Sequence, residues 1–120
     1  MTERLNGFVK KGWGHELIFA TNDKYCGKLL CFEKGAKFSM HFHREKDETW
    51  FVLEGKFLLH RINTNDASRS TVEMVSGDSH RVYPLELHQL ECIEKGRIIE
   101  VSTPDSVEDN YRVMAGDSQK

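Results

Sequence analysis

No stretch of this chain is apolar for long enough to span a bilayer, and its opening, MTERLNGFVKKGWG, has no apolar core of the signal-peptide kind. A cytoplasmic protein is expected. Cysteine is scarce: Cys26, Cys31 and Cys92 form an odd set of three with no Cys-x-x-Cys spacing. That argues against a disulfide framework and for a reducing compartment. An excess of charge of either sign is lacking too. The 17 basic and 19 acidic residues are interspersed and leave a formal net charge of −2, so neither nucleic acid nor an anionic membrane is an expected partner. There is no internal repeat, no low-complexity segment and no helical period of useful length before Pro104. What is present is 120 residues, 38% hydrophobic and 30% charged, enough for one domain with a single core.

Short runs rich in β-branched and aromatic residues recur along the chain. Strands are expected over residues 13–21, 25–33, 37–43, 48–54, 56–62, 70–75, 80–83, 89–94 and 98–103, punctuated by glycine, Pro84 or Asn/Asp clusters. That pattern belongs to an all-β sandwich or barrel, with a core over about 13–103. Residues 1–12 are expected to be an extended N-terminal arm and 63–69 a polar loop. Residues 104–120 form a C-terminal tail with room for one helical turn after Asp105 or Ser106 as N-cap.

The stretch Gly35–Gly55, GAKFSMHFHREKDETWFVLEG, carries the chemistry. Side chains on a strand alternate faces, so His41 and His43 point the same way. The charged turn Arg44–Asp47 then returns the chain so that Glu48 can face the same point from a second strand. Two imidazoles and a carboxylate are a donor set for a divalent transition metal: zinc, manganese, iron or nickel. Downstream, a turn at Gly77, a short strand and a Pro84 turn deliver His88 in the same way. Trp50 shares parity with Glu48 and is expected to wall the metal pocket. Phe38, Met40 and Phe42 alternate with the histidines and are expected to face away from the metal, against a second sheet or another subunit. His60 reads as packed or hydrogen-bonded, and His15 as a surface or interface residue.

These two stretches resemble the two motifs of the cupin superfamily. Gly35, His41, His43, Glu48 and Gly55 occupy every position of the first motif, with four residues between His43 and Glu48. In the second, Gly77 and His88 fall in register, while Tyr83, Leu85 and Cys92 stand where the family has proline, glycine and asparagine. The resemblance implies a single-domain, jelly-roll β-barrel, a metal held by His41, His43, Glu48 and His88, and a homodimer formed partly through the first strand. Trp13-Gly14-His15-Glu16 and Glu108-Asp109-Asn110-Tyr111-Arg112 resemble, more narrowly, the cupin domain of type II mannose-6-phosphate isomerases and GDP-mannose pyrophosphorylases.

That narrower resemblance implies sugar-phosphate or nucleotide-sugar chemistry. A metal-dependent isomerase or epimerase would take its acid–base group from His80, Tyr83 and Glu86, and would meet the phosphate of its small-molecule substrate with Arg44, Lys46 and Arg81. Two other functions use the same ligands: an Fe(II)-dependent dioxygenase, and a non-catalytic metal or small-ligand binding module.

Overall fold

The structure is a computed structural model, and residues 6–120 are described. Nine strands run through it: β1 (Phe8–Lys11), β2 (Gly14–Thr21), β3 (Cys26–Phe32), β4 (Met40–Phe42), β5 (Glu48–Ile62), β6 (Arg69–Val75), β7 (Ser79–Val82), β8 (Leu87–Ser102) and β9 (Tyr111–Met114). All the pairings are antiparallel. The result is the all-β barrel that the strand pattern implies, of the jelly-roll form that the cupin resemblance implies. Among the described residues no helix is long and apolar enough to cross a membrane.

Two strands are much longer than expected, and they organise the barrel. Runs 48–54 and 56–62 are one strand, β5, and runs 89–94 and 98–103 are one strand, β8. Gly55 and Gly96 look like turn residues, yet they sit face to face inside the β5–β8 ladder. A Cβ on Gly55 would lie 2.6 Å from the Gly96 Cα, and Gly55 itself has φ +92°. The register slips between Val52 and Phe57, which is how a bulge bends a strand. It also changes parity. Glu48, Trp50 and Val52 are buried before the bulge, and Phe57 and Leu59 after it.

Each long strand therefore serves two layers. One layer runs β1-β2-β3, then the C-terminal half of β8, the N-terminal half of β5, and β7. The other runs β6, the C-terminal half of β5, the N-terminal half of β8, β4 and β9. Between them lies a core that includes Trp13, Leu30, Phe32, Trp50, Phe57, Leu59, Leu90 and Ile98. Trp13 stacks on Phe32 at 4.4 Å, and Phe32 meets Phe57 edge-on at 5.1 Å, the geometry aromatic pairs favour.

The segments expected as arm and tail are partly strands. β1 pairs along β2, and β9 pairs along β4; residues 1–5 of the arm lie outside the described residues. A 3-10 turn at Val107–Asp109 follows Ser106, where a helical turn was expected. The expected strand over 37–43 shortens to Met40–Phe42, and Lys37 makes only an isolated bridge to Glu91. Strict alternation therefore fails before Met40, and Phe38 turns inward: its ring lies 5.1 Å from that of His41 and 6.1 Å from that of Trp50. That corrects the expectation that Phe38 faces away from the histidines. Met40 is buried, and Phe42 stacks on Tyr111 of β9, so within the chain itself these two are covered. Cys26, Cys31 and Cys92 are free thiols.

Candidate metal centre

The β4–β8 ladder sets His41 directly opposite His88, and directly opposed residues share a face with their Cβ atoms close together. His43 follows β4 on the same face. The three rings gather with centroids 4.4 Å (His41–His88), 5.0 Å (His41–His43) and 5.5 Å (His43–His88) apart. One nitrogen of each lies within 4.8 Å of the others.

The other nitrogen of each ring fixes the tautomer. Nδ1 of His41 donates to the Ser39 carbonyl at 2.8 Å, Nδ1 of His43 to the Asp109 carbonyl at 2.7 Å, and Nδ1 of His88 to the Glu86 carbonyl at 2.8 Å. A backbone carbonyl can only accept, so each Nδ1 carries the hydrogen and each Nε2 presents a lone pair. Orienting a ligand imidazole through its far nitrogen is the usual support of a metal site. Burial supplies the rest. It pushes the pKa of His88 down to about 3, that of His41 well below the ordinary value, and that of His43 down, each assisted by neighbouring positive charge. All three stay neutral, as ligands must.

Those depressed values have a consequence for stability. The unfolded chain binds a proton on each imidazole below pH 6.5, while folded His88 does not until about pH 3. In metal-free protein the His88 contribution is therefore fully present above pH 6.5 and is lost by about 1.4 kcal/mol per pH unit as the pH falls toward 3, while Glu48, whose carboxyl pKa is pushed up by burial, works in the opposite sense over part of the same range. Urea unfolding of metal-free protein at pH 7.5 and 5.0 checks this. The difference in stability between wild type and His88→Gln isolates the histidine: it should move against wild type from pH 7.5 to pH 5.0, and an unchanged difference would contradict the burial of His88.

Glu48 opens β5 on the inner face, with Oε2 3.7 Å from Nε2 of His43. It lies just outside the trio of closest nitrogens. Lys46 turns inward beside it. Its ammonium contacts Glu48 at 3.2 Å, Glu100 at 3.0 Å and Asp105 at 3.2 Å, and is 6% exposed. Lys28 joins Glu16 to the same Asp105, and the indole Nε1 of Trp50 donates to Glu100 at 3.3 Å. Burial opposes the Lys46 charge, but the three carboxylates outweigh it and hold the ammonium protonated. Glu48 loses the contest: burial and the nearby Glu100 raise its pKa more than Lys46 lowers it.

Two buried atoms are left without a hydrogen-bond partner at this point, Nε2 of His88 and Oε2 of Glu48. Burying unpaired polar atoms is costly. A divalent cation fits both, since it would accept the imidazole lone pairs and add to the positive charge that Lys46 already sets 3.2 Å from Glu48 Oε2. The residues that would hold it are His41, His43 and His88, and it would polarise an oxygen bound beside it.

Asp109 builds the turn between the ligands, and sequence reasoning missed it. Its carboxylate accepts backbone N–H groups of Arg44 at 2.8 Å, Glu45 at 3.2 Å and Lys46 at 3.0 Å, while its carbonyl takes the His43 Nδ1–H. Only the Glu108-Asp109 stretch flagged near the end of the chain hinted at it. The second turn is tied in as well, by the Leu85 N–H donating to the His43 carbonyl at 2.6 Å. Leu85, which replaces the motif's glycine, nevertheless has φ +73°. A left-handed conformation costs an L residue about 1–2 kcal/mol, and this side chain is 59% exposed. Leu85→Gly should therefore raise stability by about 1 kcal/mol in chemical denaturation, and a loss would show that the leucine side chain is needed.

The other expected site residues fall elsewhere. A cavity of about 410 Å³ opens over His41 and His43, bordered also by Phe38, Lys46, Glu48 and Glu100 among others, while fully buried His88 lies behind them. His80, Tyr83, Glu86, Arg44 and Arg81 do not border it. His80 bonds Glu86 at 3.3 Å. Arg81, opposite Thr49 on the outward parity, grips Asp47 through two nitrogens at 3.0 and 2.6 Å and lies 4.2 Å over the ring of exposed Tyr83. Arg44 lines a separate shallow surface with Glu45, Glu108 and Asp109. Lys46 does border the cavity, but its charge is consumed by three carboxylates. Trp50 is fully buried, 5.5 Å from the His88 ring; it supports the triad from behind. His60 bonds Thr71 and Glu91, and His15 stacks on Phe8 at 4.9 Å.

Fold and site together define a jelly-roll β-barrel with a histidine cluster suited to a divalent metal inside it. Residues 28–102 match the family described as Cupin domain, and the chain belongs to that family. Among solved structures, it superposes on the capsular polysaccharide assembling protein CapF of Staphylococcus aureus with TM-score 0.76 and 15% identity, over 90% of this chain and 32% of CapF. KdgF from Halomonas sp. gives 0.67 and 16%, over 89% and 87%. An RmlC-like cupin from Shewanella frigidimarina gives 0.65 and 23%, over 88% and 84%. The chain thus spans about a third of CapF but most of the two smaller proteins. No curated protein matches the sequence.

Proposed function

We propose that this cupin is a metal-dependent enzyme for a small hydroxylated substrate, an isomerase or epimerase of a sugar phosphate or nucleotide sugar being the activity that fits best. The observation that carries the reading is the set of three Nδ1–H to carbonyl bonds, which leave three lone pairs aimed at one point. Glu48 is proposed as a fourth ligand beside His43. The metal would make substrate oxygens and the adjoining carbon more acidic.

The cavity wall is not wholly apolar: Glu16, Glu48, Glu100, Lys28 and Lys46 border it beside Trp13, Ile18, Leu30 and Phe38. That favours a polyhydroxylated substrate over the apolar one expected for an Fe(II)-dependent dioxygenase. His80, Tyr83 and Glu86 lie off the cavity, so the proton is proposed to be handled by the carboxylates on its floor, Glu100 first. The mannose-6-phosphate isomerase likeness rests on Trp13–Glu16 and Glu108–Arg112. Trp13, Glu16, Asn110 and Arg112 border the cavity, which supports it. CapF, named for capsular polysaccharide assembly, lends the fold only.

The test is a panel of aldose and ketose phosphates incubated with metal-loaded protein and followed by NMR. Interconversion that stops in His88→Ala is expected. Silence across the panel with metal bound would remove the isomerase and leave a binding module.

A homodimer is also proposed, through the outer face of the first layer. Phe8, Leu17, Leu29, Ile99 and Phe51 are successive register partners across five strands there, and Phe8 and Phe51 are exposed. A contiguous apolar row of this kind marks an interface. Light scattering should give twice the mass of the chain, and a monomer would refute it.

A further inference from the structure

The cavity over the histidines has two ends of different electrical character. On its floor every ammonium is consumed: Lys28 by Glu16 and Asp105, Lys46 by Glu48, Glu100 and Asp105. At its mouth stand Lys11 of β1 and Arg112 of β9. Among the described residues neither has a carboxylate within the 4.0 Å of an ion pair. Arg112 is the register partner of His41 in the β4–β9 ladder, so its side chain leaves the same face of the sheet as the metal ligand. Lys11 alternates with Lys10 and shares the inner parity of Val9, which also borders the cavity.

The neutral groups of the mouth point the same way. Ser118 Oγ already accepts from the Gly12 N–H at 3.0 Å, and Gln119 Oε1 from the Gly116 N–H at 2.9 Å. Each oxygen has one accepted bond in place, and the Ser118 hydroxyl hydrogen and the Gln119 amide hydrogens remain to be given. Two cations and two spare donor groups suit a ligand group that only accepts. Between mouth and floor, buried Oδ1 of Asn110 lacks a partner and asks for the opposite, a donor such as a hydroxyl.

We propose that Lys11 and Arg112 form an oxyanion subsite at the cavity mouth, binding the phosphate or carboxylate of a ligand whose hydroxyl-bearing part extends past Asn110 to the histidines. The second half rests on the metal reading above; the first does not. It also moves the anion-binding role away from Arg44 and Arg81, which the structure sets outside the cavity.

The experiment is an NMR titration of the protein, metal-loaded and metal-stripped, with sn-glycerol 3-phosphate, with glycerate and with neutral glycerol. Wild type should bind at least one of the two anions and prefer it to glycerol; which anion binds tighter identifies the natural group. Lys11→Gln and Arg112→Gln should each weaken that anion about tenfold, the size of a charge-assisted bond, and the double variant about a hundredfold. Arg112→Lys should keep part of the affinity, and metal content and unfolding midpoint should not change. The inference is overturned if the double variant binds both anions as wild type does, or if wild type does not prefer either anion to glycerol. If instead no metal is found, while anion binding still depends on Lys11 and Arg112, the subsite stands and the metal reading falls.

Discussion

Replacing His41 and His43 together with alanine is expected to take the purified protein from one divalent metal ion per chain to essentially none. Three imidazoles supply the lone pairs, and the double variant leaves one, with Glu48 nearby. Removing a partner that merely orients a ligand already costs about 10–100-fold in affinity; losing two ligands should cost well beyond that. Elemental analysis after expression without added metal reads the outcome directly. His41 lies in the short strand β4 and His43 just after it, and neither is part of the hydrophobic core cluster, so the variant should fold. Undiminished metal in it would place the ion elsewhere in the chain.

The second large effect is expected at Lys46. Its ammonium is the shared partner of Glu48, Glu100 and Asp105, with 6% exposure. Lys46→Met keeps the stem and deletes the charge, leaving buried carboxylates facing one another. Breaking a buried pair from one side costs about 3–5 kcal/mol, a large part of the 5–15 kcal/mol of a typical domain. Denaturant unfolding of metal-free protein should show that loss. Adding Glu100→Gln should recover part of it, because two residues in one network do not act independently. Metal should recover part as well, since a cation at Glu48 replaces some of the missing charge. A loss below about 1 kcal/mol would mean that water solvates the cluster.

The site was legible wherever its logic is local. His41 and His43 lie two residues apart, so spacing alone put them on one face, but the hairpin that the spacing suggested does not form: β4 pairs with β8 and β9, while the start of β5 pairs with β7 and β8. His88 was reachable from its turn even though Tyr83, Leu85 and Cys92 depart from the pattern. What could not be read is what long-range contact decides. Lys46 looks like any charged turn residue until Glu100, 54 positions away, meets it. Asp109 earns its place only because its carboxylate reaches back across 63 positions to the Lys46 amide. Phe38 defied alternation because the strand around it is interrupted. Gly55 and Gly96 read as turns because a glycine bulge and a glycine turn are spelled alike; only the facing strand distinguishes them.

The same limit explains the misplaced binding residues. Arg44 and Arg81 are near the metal-bearing turns in sequence, but the Asp47 carboxylate draws Arg81 to the outside. Lys11 and Arg112 belong to β1 and β9, segments that read as arm and tail, and only the pairing of β9 with β4 carries Arg112 to the histidines.

Crystals of metal-loaded protein, measured at the absorption edge of the ion it carries, offer the most direct check on the convergence of the three lone pairs. The expected result is one anomalous peak about 2.0–2.2 Å from Nε2 of each of His41, His43 and His88. A peak bound through Nδ1, or one away from these rings altogether, would contradict it.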